Sequence, residues 1–129
     1  MSVKAKPFQQ ASINAALRTL TRQRGAKRYL VADEVGLGKT VVASGIIQRL
    51  MDKKLRAGEG PLSVLYVCSN QAIARQNTER LLSFVPEEDD ERDSAIAHID
   101  RPSLLATRPR PSHADVHIYM LTPDPAIPT

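Results

Sequence analysis

The 129-residue sequence predicts an α/β fold: a parallel sheet flanked by helices, followed by an irregular, proline-rich C-terminal third. Three observations predict it. Short apolar runs of the kind shown by strands buried on both faces stand at Tyr29–Ala32 and Val64–Cys68. Segments with apolar residues at helical spacing precede, separate and follow those runs. The connections are short, so helices and strands alternate as they do around a parallel sheet.

Taken in order, Gln9 to Leu20 reads as a helix, because Ile13, Ala16, Leu17 and Leu20 recur at i, i+3, i+4 and i+7. Thr21 to Lys27, polar and basic around Gly25, reads as a loop. Tyr29–Ala32 is the first expected strand. Asp33 to Gly38 holds two glycines and ends it. Lys39 to Leu55 is helical in pattern, with Val42, Ile46, Leu50 and Lys53 on one side, and Gly58-Glu59-Gly60-Pro61 breaks it. Val64–Cys68 is the second strand. Gln71 to Phe84 is the next helix, with Ile73, Ala74, Asn77, Leu81 and Phe84 on one face. Beyond Phe84 the texture changes. Glu87 to Asp93 has six acidic residues in seven, and seven of the nine prolines lie at or beyond Pro86. That region predicts few long elements, apart from a strand where Val116, Ile118 and Met120 alternate with Asp115, His117 and Tyr119.

Composition limits the function classes. The length suits one domain able to bury roughly two thirds of its unfolded surface. An apolar share of 42% and a charged share of 25% describe a globular chain. Aromatics are 4% with no Trp, so the core is built from Leu, Ile, Val and Ala. A single cysteine, no apolar leader and no apolar stretch near the roughly 20 residues of a membrane span predict a soluble protein of a reducing compartment, cytoplasmic or, in a eukaryote, nuclear. Residues 1–56 carry 12 Lys/Arg against 3 Asp/Glu, a net of +9, and residues 57–129 carry 6 against 11, a net of −5. A basic first half suits a polyanionic partner, whether nucleotide phosphates or nucleic acid.

The most informative residues are Asp33-Glu34-Val35-Gly36-Leu37-Gly38-Lys39-Thr40. Gly36 and Gly38, on either side of Leu37, let the backbone turn tightly so that successive N–H groups form an anion cradle. Lys39 opens the following helix, where the positive end of the helix dipole adds to its own charge. The Thr40 hydroxyl is placed to ligate Mg²⁺. These are the parts of an ATP–Mg²⁺ phosphate loop, with Asp33 standing where the general pattern has its first glycine.

That spelling resembles motif I of the SNF2-type branch of superfamily 2 helicases and translocases, which carries an acidic pair before the glycines. Pro7-Phe8-Gln9 is similar to the upstream motif whose glutamine reads the adenine edge. Val64-Leu65-Tyr66-Val67-Cys68-Ser69-Asn70, leading into Gln71–Asn77, resembles motif Ia. Leu121-Thr122-Pro123 is similar to the Leu-Thr-Pro found later in the first motor domain. The resemblance covers residues 7–84 well and 86–129 loosely. It implies the N-terminal fragment of a RecA-like ATP-binding domain spanning residues 1–129. It also implies adenine contact by Gln9, phosphate and Mg²⁺ binding by Gly36, Leu37, Gly38, Lys39 and Thr40, and DNA or RNA backbone contact by Ser69, Asn70 and Gln71. Asn70 at a strand-to-helix junction is equally a good helix cap.

No further Asp-Glu follows an apolar run, so the second Mg²⁺-binding motif of the family is missing, and its arginine finger belongs to a second motor domain. Losing a finger typically costs about 10³–10⁵ in turnover. The expectation is therefore a truncated ATP-binding portion that is not an active motor alone, completed by a partner chain. The residues leave other readings open: a basic nucleic-acid-binding or regulatory module with a vestigial phosphate loop, another small P-loop NTPase, or a remnant whose unpaired sheet edge lowers its solubility. His113, Asp115 and His117 alternate along one expected strand face, but a metal site needs a fourth group and a second shell. Cys68 reads as a small hydrophobe rather than a nucleophile.

Overall fold

Three helices and three strands make up the chain over residues 4–32, 38–84, 96–99 and 115–122, which the computed structural model describes. Pro7 opens α1 (Pro7–Leu20), where its missing N–H costs nothing and its fixed φ suits the first turn. Helix α2 (Lys39–Ala57) runs between two glycines in the left-handed region, Gly38 with φ 78° and Gly58 with φ 68°. Beyond the last turn, the N–H groups of Gly58 and Glu59 fold back onto the carbonyls of Leu55 and Lys54. Strand β1 (Leu62–Val67) follows, then α3 (Gln71–Leu81), β2 (Ile96–Ile99) and β3 (Val116–Leu121).

The strands form one parallel sheet in the order β1-β3-β2. Leu62, Val64 and Tyr66 of β1 pair in register with Val116, Ile118 and Met120 of β3. These residues, with Ile47 of α2 and Ala74 and Leu81 of α3, form the core under the two helices. Helix α1 packs on α2 rather than on the sheet: Ile13 is buried against Gly45, where an added Cβ would collide with its side chain. The result is an α/β fold consistent with part of a RecA-like domain.

Several expectations are corrected. Tyr29–Ala32 is not a strand. It is irregular, with Leu30 83% exposed: β1 and β2 take both edges of β3, and among the described residues the segment pairs with neither outer strand. Val64–Cys68 is a strand but not one buried on both faces: Leu65 and Val67 remain 49% and 58% exposed. The short strand β2 falls in the region expected to hold few elements. The last helix stops at Leu81, with residues 82–84 in a turn.

Helix faces differ as well. On α2 the buried residues are Val42, Ser44 and Ile47, with Ile46 and Leu50 half-buried and Lys53 exposed, because the helix is covered by α1 on one side and by the sheet and α3 on another. On α3 they are Ala74, Thr78 and Leu81, while Ile73 is half-exposed. Thr78 is tolerated inside because its hydroxyl donates back to the Ala74 and Arg75 carbonyls. Among the described residues no helix is long and apolar enough to cross a membrane.

Candidate functional site

The start of α2 is built by three consecutive residues. Gly38 is the helix N-cap in the left-handed conformation, and its carbonyl accepts the Val42 N–H at 3.2 Å. A residue with a Cβ is strained there twice over, by the positive φ and by collision with the amide nitrogen of Gln9. The first turn of α2 carries no acidic residue, so no side chain within that turn offsets the positive end of the helix dipole. Lys39 is exposed at the first helical position and Thr40 half-buried at the second. Gly36 and Leu37 lie outside the described residues.

Gln9 is the third residue of α1 and is buried. Its Oε1 accepts the Lys6 backbone N–H at 2.8 Å, which fixes the side chain at the helix start. The amide end then rests against Gly38. Two segments distant in sequence, the opening of α1 and the end of the glycine loop, thus meet at one point.

A cavity of about 700 Å³ opens from that point, within the range of small-molecule sites. Gly38 and Thr40 line its near end, and Val41, Ser44 and Gly45 lie along α2 beside it. Lys4, Arg49 and Arg80 also line it, and among the described residues no acidic side chain does. Sequence reasoning missed these three bases. Each is unremarkable in its own segment, and only the packing of α1 and α3 on α2 gathers the segments that carry them.

Ser69, Asn70 and Gln71 form a separate patch at the β1-to-α3 junction, and none of them lines the cavity. The Asn70 side-chain oxygen accepts the N–H groups of Ala72 and Ile73 at 2.9 and 3.2 Å, so this residue caps α3. Ser69 and Gln71 are exposed. Nearby, Cys68 is half-buried at the core margin. Burial pushes the Tyr66 hydroxyl above its ordinary range, and the hydrogen bond from the Asn77 amide at 2.9 Å partly offsets this. Of the alternating histidines and aspartate, His113 lies outside the described residues, Asp115 is exposed and His117 is buried. Thr122 of the Leu-Thr-Pro is buried, and Pro123 lies outside the described residues.

Residues 2–123 match the family model described as the type III restriction enzyme, res subunit. The chain belongs to that family, and this domain is a helicase-like N-terminal domain of superfamily 2. Neither the curated proteins nor the solved structures contain a match.

Proposed function

We propose that this chain, as a member of that family, is the ATP-binding portion of a nucleic-acid-dependent helicase or translocase. One observation carries the reading: the glycine-lysine-threonine start of α2, with Gly38 held in a left-handed turn against Gln9, inside a family match that spans residues 2–123. The residues suit a nucleoside triphosphate with Mg²⁺. Space for a Cβ at Gly38 is absent, no acidic residue stands in the first turn, and a lysine and a threonine hydroxyl follow at once. In this reading Gly36, Leu37, Gly38 and Lys39 hold the phosphates, Thr40 ligates Mg²⁺ and Gln9 meets the base. The metal would supply neutralisation of the phosphate charge.

Ser69 and Gln71 flank the capped start of α3 and are exposed to a DNA or RNA backbone, while Asn70 orders the turn that presents them. The acidic pair before the glycines favours the SNF2-type branch within the superfamily. Because no second Asp-Glu strand motif occurs in these 129 residues, the chain alone binds nucleotide without turning it over as a motor, and a second chain or domain supplies the rest. Residues 7–84 then carry the site and 86–129 its loop-rich continuation, in the cytoplasm or nucleus.

Calorimetry of ATP–Mg²⁺ on the whole chain beside Lys39→Ala tests this. Binding weakened at least about tenfold in the variant supports the reading, the scale expected for losing a charge-assisted contact. A folded chain that binds ATP equally well with and without Lys39 refutes it. Steady ATP hydrolysis by the single chain, abolished in Lys39→Ala, would keep the site and overturn the claim that it is not a motor alone.

A further inference from the structure

We infer that the far end of the cavity is a second anion site, in which Arg49 and Arg80 hold a phosphate-bearing small molecule independently of the glycine loop. Arg49 lies nine residues beyond Thr40 along α2, about 13 Å at the helical rise, so the two ends of the cavity are separate places. Arg80 comes from the last turn of α3. The two helices are pinned there by the buried Ser44 hydroxyl, which donates to the Leu81 carbonyl at 2.9 Å. That bond fixes the backbone beside Arg80 against the helix that carries Arg49, so the bases of both arginines are set by packing rather than by free loops.

Among the described residues the charge is uncompensated. Asp52 lies one turn from Arg49 and Glu79 precedes Arg80, yet neither carboxylate forms an ion pair with them among the described residues. Among the described residues no acidic side chain lines the cavity, and Gln48 and Ser83 line it with neutral hydrogen-bonding groups. Two forked guanidiniums suit the several oxygens of a phosphate group, which accepts paired N–H bonds. The inference does not rest on ATP binding at the glycine loop.

Pyrophosphate is the probe, titrated calorimetrically into the whole chain. The variants are Lys39→Ala, Arg49→Gln/Arg80→Gln, and the charge-preserving Arg49→Lys/Arg80→Lys. Both arginines are exposed, so these substitutions leave the core intact, and circular dichroism checks that they do. The expected result is pyrophosphate binding that survives Lys39→Ala, weakens about tenfold or more in the glutamine variant and recovers in part with lysines. It should also fall with added salt, since the groups are solvent-accessible. Pyrophosphate binding lost in Lys39→Ala alone would assign the anion to the glycine loop and overturn the inference while leaving the proposed function standing. Pyrophosphate binding unchanged in the glutamine variant, or absent throughout, would also overturn it. Pyrophosphate binding that persists in a chain indifferent to ATP would sustain the second site and refute the nucleotide reading.

Discussion

His117 sits in the central strand with 2% of its surface exposed and no hydrogen-bond partner on either ring nitrogen among the described residues. A buried polar group without a partner costs about 1–3 kcal/mol. His117→Leu removes that penalty and keeps a side chain able to pack in β3. The expected outcome in chemical denaturation is a gain of about 1 kcal/mol. A loss of similar size would show that the imidazole has a partner and is used. The same scale separates what residue type reveals from what it hides. Asn70 was legible as a cap because a short acceptor side chain at a strand-to-helix junction finds the next free N–H groups wherever the helix goes. Resemblance suggests adenine contact for Gln9 but not its seat against Gly38, since nothing local to either residue specifies a contact between them.

At the scale of elements, the crossing of α1 on α2 depends on one missing side chain. Gly45 is in the middle of a helix, where alanine ordinarily adds about 1 kcal/mol of stability. Here an added Cβ meets the end of Ile13, itself buried, and overpacking of that kind costs about 1–3 kcal/mol. Gly45→Ala is therefore expected to destabilise by about 1 kcal/mol net. Ile13→Val removes the colliding methyl, so the double variant should be at least as stable as Gly45→Ala alone, although Ile13→Val by itself costs about 0.5–1.5 kcal/mol. Additive effects in this double-mutant cycle would refute the contact. Helices α1 and α2 were readable along the chain to within a few residues, because Pro7 and the glycines at 38 and 58 mark their ends in local terms. Strands were less so. Tyr29–Ala32 has the composition of a strand but pairs with no other segment among the described residues, whereas Ile96–Ile99 becomes one by pairing with β3. A ladder is a property of two segments, and a short apolar run carries no record of its partner.

At the scale of the whole molecule, the sheet is covered by α2 and α3 over Leu62, Val64 and Tyr66, while β1 turns Leu65 and Val67 outward beside an edge with no strand on it among the described residues. Exposed apolar residues on an unpaired strand invite edge-to-edge association, and natural sheets commonly blunt such edges with lysine. Two features of the chain pull in opposite directions on this point. Its net charge of +4 disfavours association, but the charge is divided between a basic half and an acidic half, which permits head-to-tail attraction between copies. Val67→Lys tests which dominates. Val67 is 58% exposed, so the substitution should alter the midpoint of thermal unfolding little, within the roughly 0.5 kcal/mol usual for surface positions. Light scattering over a concentration series should show less self-association than in the parent chain. If association is unchanged by Val67→Lys but falls steeply with added salt, the two charged halves and not the strand edge hold the copies together, since attraction between exposed charges is screened beyond about 10 Å at 0.1 M salt.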